Sequence, residues 1–258
     1  MSEIRKAFDH GKAFIAFVTC GDPDLETTGR VVRAMAENGA DLIELGIPFS
    51  DPTAEGPVIM DADKRALDGG VTTDDIFAFT KEIRKTVTVP MVYMTYANVV
   101  FHYGAEEFCS RASDAGVSGI ILPDVPFEEK AEFESVCDRY GLDLISMVAP
   151  TSEDRISKIA SEAKGFVYIV SSLGVTGTRS SITTDIGPMV ELIRRSTEIP
   201  CAVGFGISNP EQCQRMASVS DGAIVGSAIV RIVAQHGKDS AGPVGEFVRS
   251  MKDSIRGL

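Results

Sequence analysis

The sequence has few of the residues from which metal sites and disulfide frameworks are built. Its three histidines share no metal-ligand spacing and no H-E-x-x-H motif occurs, so we expect no structural metal. The five cysteines are an odd number, widely scattered, and form no C-x-x-C pair, which indicates reduced thiols in the core or at the surface. They are Cys20, Cys109, Cys137, Cys201 and Cys213.

Long apolar runs are also missing. No stretch approaches the roughly 18 unbroken apolar residues of a membrane span. The first residues, "MSEIRKAFDHGKAF", are charged and lack the apolar segment of a secretory signal, so we expect a cytosolic protein. A net charge of −12 argues against a nucleic-acid partner, because an acidic surface repels phosphates. A small phosphorylated ligand is still compatible with this charge, since backbone N–H groups can bind it locally.

Eight short apolar runs alternate with helical patterns along the 258 residues. Their near-continuous hydrophobicity is typical of a parallel sheet that is buried on both faces. These predicted strands are residues 13–19, 40–47, 89–96, 117–124, 142–149, 165–171, 200–206 and 221–227.

The segments between the strands carry helix signals. For the first helix, the pattern predicts Asp22 as N-cap, Pro23 at the first position and Gly39 as the stop. Further helices are predicted to begin near Asp74, Glu106, Glu128, Ser152, Asp185 and Asn209, with a short one over 227–237 and a last one around 243–256.

Eight strand–helix units without a linker predict one α/β domain over 1–258, a closed (β/α)₈ TIM barrel. An open doubly wound sheet is the alternative. It is disfavoured because the first strand–helix turn, "TCGDPD", lacks the G-x-G-x-x-G motif.

The second strand carries an acid, Glu44, in an apolar context. Side chains alternate across a strand, so Ile43, Leu45 and Ile47 share one face and Glu44 lies on the other, toward the barrel interior. Catalytic groups of barrel enzymes lie at the carboxyl ends of strands, and Glu44 is near such an end. The alternative is a structural acid paired with a cation, but the strands supply no obvious inward cation. Burial is expected to raise the pKa of Glu44, which suits a proton donor and acceptor.

A second acid, Glu55, follows on a loop that prolines and glycines keep from being helical until about Val58. An acid on a loop is more often part of the plain solvated surface. Asp51, beside Pro52, is as suited to fixing a turn as to taking part in chemistry.

Glycine-bearing loops after the last three strands predict a phosphate site. The glycines allow close backbone approach, and helix N-termini offer free N–H groups, although glycines that only make turns are the alternative reading. The predicted lining is Thr176, Gly177, Phe205, Gly206, Gly226 and Ser227.

Seven motifs resemble the tryptophan synthase alpha chain family, in the expected order and over nearly the whole sequence. They are "FVTCGDPD", "ELGIPFSDPTAEGPVI", "YANVVFHYG", "LPDVP", "GVTGTRSS", "GFGIS" and "GSAIV". The resemblance implies a barrel that cleaves indole-3-glycerol phosphate to indole and glyceraldehyde 3-phosphate in tryptophan biosynthesis. It implies no cofactor in this chain, and a β-chain partner that uses pyridoxal phosphate in an α₂β₂ heterotetramer.

The resemblance also assigns residue roles. Glu44 matches the principal acid–base of the family, and Glu55 matches the second carboxylate, which is usually Asp in an "ADGP" motif where this chain reads "AEGP". A basic residue common in the family is replaced by Ser172, and Arg179 lies nearby. The positions matching the substrate pocket are Phe17 and Tyr168, with Tyr96, Met94 and Ile59 also candidates, although each is equally suited to a plain core.

The resemblance further implies mobile lids at 48–58 and 172–183, and β-chain contacts at Asn98 and Phe127, although these two residues are equally suited to plain loop surface.

Two other functions are compatible with the same motifs. One is a subunit that docks to the β chain but has lost its own chemistry because of Glu55. The other is a different phosphate-binding barrel, such as a phosphoribosyl-anthranilate isomerase or an indole-glycerol-phosphate synthase. The synthase would need a lysine at the strand ends, which offer none.

Overall fold

A computed structural model describes residues 2–170, 186–204 and 206–258. Within these residues one sheet forms, all of its strand pairs are parallel, and its spatial order is β5-β4-β3-β2-β1-β9-β8-β7-β6. The strands are β1 (Ala13–Thr19), β2 (Leu42–Gly46), β3 (Met91–Met94), β4 (Gly119–Ile121), β5 (Asp143–Leu144), β6 (Ser146–Val148), β7 (Val167–Val170), β8 (Cys201–Gly204) and β9 (Gly222–Val225).

The two ends of this sheet are one interrupted strand. β5 pairs with β4 and β6 pairs with β7, and only Ile145 separates them in the chain. The sheet therefore closes on itself, and the first strand also pairs with the last, with Ala13 opposite Gly222. The eight predicted strands and the TIM barrel are confirmed, and the open doubly wound sheet is excluded.

Helices surround the barrel between the strands. They are α1 (Leu25–Glu37), α2 (Pro57–Asp68), α3 (Thr73–Ile83), α4 (Ala97–Tyr103), α5 (Ala105–Ala115), α6 (Ala131–Arg139), α7 (Glu153–Ser161), α8 (Gly187–Ser196), α9 (Pro210–Val219), α10 (Ser227–His236) and α11 (Ala241–Asp253). The described residues also form three short 3-10 helices, which cover Glu3–Phe8, Phe127–Glu129 and Gly237–Asp239. The helix starts predicted near Ser152 and Asn209 agree with the structure, in which these residues are the N-caps of α7 and α9, whereas the start predicted near Asp185 lies outside the described residues.

The first helix begins two residues later than predicted. Its N-cap is Asp24, whose carboxylate accepts the N–H of Thr27 at 2.7 Å, and not Asp22. Asp22 is buried and binds Arg65 instead. The predicted end of this helix at Gly39 is nearly correct, because Gly39 directly follows the C-cap Asn38. Its φ of 107° is a conformation that favours glycine.

Two apolar layers hold the barrel together. Alternate strand residues such as Phe14, Ile43 and Leu45 pack outward under the helices, as predicted for β2. The intervening residues, among them Leu42 and Val92, fill the barrel interior. Because the two sets alternate along each strand, Glu44 is placed in the interior.

The described residues contain no helix long and apolar enough to cross a membrane. All five cysteines are buried free thiols, as the scattered spacing predicted.

Candidate active site

Glu44 lies inside the barrel with only 1% of its surface exposed. It is opposite Phe17 on β1 and Val92 on β3, so apolar side chains flank it on both neighbouring strands. Its Oε1 atom has no hydrogen-bond partner, and none of the ion pairs in the described residues involves it. Burial raises the pKa of Glu44 to about 8, as the sequence predicted in direction. A carboxyl group in this state can both give and take a proton near neutral pH.

The loop after β2 carries Glu55 back into the same space. Two aromatic contacts hold this loop: the Ala54 N–H donates to the hydroxyl of Tyr96 at 2.9 Å, and the ring of Phe49 stacks on the ring of Tyr96. Glu55 is 7% exposed, and its buried Oε2 has no partner. The pKa of Glu55 is raised to about 7, and burial is the largest cause. Hydrogen bonds from backbone N–H groups lower the pKa, and the nearby charge of Asp124 raises it.

Both acids line one cavity at the carboxyl end of the barrel. The structure brings nine of the predicted site residues together here: Phe17, Glu44, Glu55, Ile59, Met94, Tyr168, Gly206, Gly226 and Ser227. Tyr96 is not on the cavity wall but holds the Glu55 loop. Thr176, Gly177 and Phe205, like Ser172, Arg179 and the predicted lid at 172–183, lie outside the described residues.

Tyr168 closes the cavity beside the two carboxyl groups. Burial, together with the charges of Glu44 and Glu55, raises its pKa well above 10, so its hydroxyl keeps its proton. The backbone of β8 makes room for the ring, because a Cβ atom on Gly204 would lie 2.5 Å from the Tyr168 hydroxyl oxygen. Glycine at position 204 therefore sets how deeply the tyrosine ring sits.

Part of the cavity wall is built from backbone. Gly226 is the N-cap of α10 and Ser227 its first residue, so the N-terminus of this short helix faces the cavity. Helix N-termini carry N–H groups without intrahelical partners and a partial positive charge. Gly206, with a φ of 81°, approaches from the loop after β8. A cavity that combines apolar and acidic side chains with backbone donors suits a ligand with an aromatic end and an anionic end.

Three residues near the site were missed by the sequence analysis. Ile207 and Ile224 line the cavity, and Asp63 is buried on α2 close to Glu55. The signal for Asp63 was available: it shares the buried face of α2 with Ile59 and Ala66, where an acid is unexpected.

The described residues contain no group of three or more His, Cys, Asp or Glu side chains that could hold a metal ion. The described cavity wall also includes no lysine.

Comparisons with known proteins agree on one family. A family model described as tryptophan synthase alpha chain matches residues 4–256. The tryptophan synthase alpha chain of Lactiplantibacillus plantarum is 46% identical over 258 residues, which cover 100% of this chain and 97% of the relative.

Solved structures give the same result. Mycobacterium tuberculosis tryptophan synthase superposes with a TM-score of 0.90 at 31% identity, covering 99% of this chain and 98% of that chain. The tryptophan synthase complex from Pyrococcus furiosus superposes with a TM-score of 0.83 at 31% identity, covering 94% and 98%. From the family model, the full-length relatives and the shared barrel, the chain belongs to the tryptophan synthase alpha chain family.

Proposed function

We propose that Glu44 and Glu55 are the two carboxyl groups with which this chain carries out its family's reaction, the retro-aldol cleavage of indole-3-glycerol phosphate to indole and glyceraldehyde 3-phosphate. The observation that carries this proposal is that both acids line one cavity and each has a buried oxygen without a partner. A buried polar atom without a partner is costly, so such atoms in a cavity are suited to a ligand.

Glu44 is the general acid and base. Cleavage requires a proton on indole C3, which turns the ring into a cationic indolenine and a leaving group. It also requires removal of the proton from the adjacent hydroxyl of the glycerol chain. With a pKa of about 8, Glu44 is protonated at neutral pH and delivers the first proton. Its carboxylate then accepts the hydroxyl proton, so the residue ends the cycle as it began.

Glu55 stabilises the positive charge that develops on the indole nitrogen. Its pKa of about 7 lies below that of Glu44, so Glu55 is the first of the two to ionise. A fixed negative charge in a cavity with little water stabilises a developing cation by several kcal/mol, on the order of the effect of an oxyanion-hole donor.

The phosphate binds at the backbone rim formed by Gly206, Gly226 and Ser227. The N-terminus of α10 supports this placement, because it supplies donors and positive potential without a charged side chain. With the phosphate anchored there, the indole extends toward Phe17 and Ile59. Thr176, Gly177 and Phe205 complete the same binding site in this proposal.

No organic cofactor or metal takes part in this chain's own chemistry, and pyridoxal phosphate belongs to the β chain of an α₂β₂ complex. Asn98 is exposed on α4, next to Phe101, which is 69% exposed. Asp124 accepts the N–H of Ala97 and so joins α4 to the segment that leads to Phe127. An exposed aromatic ring beside these residues supports a β-chain contact here.

The direct test is indole release by Glu44→Gln. We expect this variant to lose turnover while its affinity for a non-cleavable indolyl alkyl phosphate stays within about twofold, because Gln is isosteric and the phosphate rim is untouched. Glu37→Gln, an exposed acid on α1, is the matched control and should keep full activity. Substantial release by Glu44→Gln would refute the assignment.

Assaying the wild-type chain with and without a β chain separates this function from a purely docking role. Release in neither condition, with the β chain still bound, would leave only the docking role.

A further inference from the structure

Asp63 is a buried acid that the proposed reaction does not use. It lies on α2, four residues after the cavity residue Ile59, and only 6% of its surface is exposed. Its Oδ1 atom is 3.5 Å from the hydroxyl oxygen of Thr19, the last residue of β1. In the part of the chain that the structure describes, none of the ion pairs includes Asp63. A carboxylate in such a place would be a buried charge without compensation, which is costly.

The arginine of the same helix is already engaged. Arg65 donates from Nε and Nη2 to the two carboxylate oxygens of Asp22, both at 2.8 Å. Asp22 itself is close enough to raise the pKa of Asp63. The guanidinium charge of Arg65 is thus matched by Asp22, and Asp63 is left with acids around it.

The groups that face Asp63 come from three parts of the fold. Thr19 and the Cys20 thiol lie at the end of β1, Asp22 on the turn after it, and Glu55 on the loop after β2. The pKa of Asp63 is raised to about 8. Burial is the largest cause and the Glu55 carboxylate the next, whereas hydrogen bonds from the Phe49 N–H and the Thr19 hydroxyl lower the pKa. The pKa of Glu55 is lower, about 7. Glu55 therefore loses its proton first, and its charge keeps the proton on Asp63.

We propose that Asp63 is a positioning residue that acts through Glu55: it works as a neutral carboxyl group between the Glu55 loop and the end of β1. In this form it packs beside Thr19 without adding a second negative charge next to Glu55. Loss of its proton would place two carboxylates in one buried region, and their repulsion would displace the Glu55 loop from the cavity. This inference rests on the proposed role of Glu55, but the protonation of Asp63 is measurable without any activity.

The first test is an infrared titration of the free protein between pH 5 and 9, following the C=O stretch of protonated carboxyl groups. Asp63→Asn should remove one protonated carboxyl from the spectrum at pH 7. Glu55→Gln should keep the Asp63 signal but move its loss to lower pH by about one unit, because the neighbouring charge is gone. Asp61→Asn, an exposed residue two positions away on the same helix, should change nothing above pH 6.

The second test is the pH dependence of kcat/KM for indole release. Asp63→Asn should keep activity at pH 7 within about threefold of wild type, since an amide mimics the neutral acid. Its decline above pH 8 should be less steep, because one fewer group ionises. A merely structural role for Asp63 would not change the steepness of this decline.

Several results would overturn the inference. One is an unchanged infrared spectrum in Asp63→Asn, and another is a fall of more than about tenfold in its activity at pH 7, which would require an ionised Asp63. If Asp63→Asn does not fold, the Glu55→Gln titration still decides, since a signal that does not move contradicts the coupling. If the wild-type protein releases no indole, the proposed function is contradicted. The infrared titration would still decide whether Asp63 is protonated, because it does not depend on activity.

Discussion

Phe17 and Glu44 are register partners on β1 and β2, and both side chains lie inside the barrel. The ring of Phe17 also packs over Gly46, where a Cβ atom would come within 2.6 Å of it. Glu44 is almost fully buried at this place, and burial is the cause that raises its pKa. The strand pairing thus places Glu44 in the buried environment that raises its pKa.

The two carboxyl groups predict a bell-shaped dependence of kcat/KM on pH. Glu55 must be ionised, so the rate should fall as the pH drops below about 7. Glu44 must be protonated to deliver its proton, so the rate should also fall as the pH rises above about 8. Indole release measured from pH 5.5 to 9.5 checks this, and a flat profile over that range would contradict the assignment of both groups.

Glu55→Asp should keep or raise the activity. The variant restores the residue that the family usually has at this position and preserves the negative charge. One methylene moves a carboxylate by about an ångström, so a large fall would show that the cavity is built around the longer side chain. Glu55→Gln is the comparison, and removing its charge should lower kcat by about 10²-fold. Steady-state kinetics on the two variants separate the effect of length from the effect of charge.

Glu44→Gln should stabilise the protein at alkaline pH. The folded-state pKa of Glu44 is raised from 4.5 to about 8, so its protonated form favours folding below pH 4.5 and this contribution is lost as the pH rises to 8. As the pH rises from 5 to 8, the free energy of unfolding of the variant should therefore increase relative to that of wild type by at most about 1.4 kcal/mol per pH unit.

Urea unfolding of both proteins at pH 5, 6, 7 and 8 measures this difference. Glu37→Gln, at an exposed position, should show a difference from wild type that does not change over the same range. A constant difference for Glu44→Gln as well would mean that Glu44 ionises normally in the folded protein.

The position of Glu44 could be predicted because successive side chains of a strand lie on opposite faces of the sheet. Once one face of β2 is uniformly apolar and packs under the helices, the residues between must face the barrel interior. The role of Asp63 could not be predicted in the same way. A lone acid within a helical pattern does not reveal which loop will cover it, and the loop that does so carries Glu55.

Helix α4 was missed for a related reason. Its sequence, "ANVVFHY", contains β-branched and aromatic residues that do not favour a helix on their own. The N–H of Ala97 at its start is bound by Asp124, which belongs to the loop after β4. The group that caps this helix is therefore 27 positions away, outside any local pattern.

The prediction that Asp22 caps the first helix was wrong. It was made because an acid before a proline is a common helix start. In the structure Asp22 is 2% exposed and forms two hydrogen bonds with Arg65. Arg65→Met should therefore leave a buried carboxylate unpaired and lower the free energy of unfolding by about 2 kcal/mol, less than for a fully buried pair because the arginine is partly solvated. Thermal and urea unfolding at pH 7 measure this loss.

Lys64→Met is the control for this change, since Lys64 pairs with Asp68 on the exposed face of the same helix. Its effect should stay within about 0.5 kcal/mol, as is usual for a surface ion pair. Adding Asp22→Asn to Arg65→Met should recover part of the lost stability, because the buried charge is then removed together with its partner. If Arg65→Met is as mild as Lys64→Met, Asp22 does not carry a buried charge that depends on the arginine.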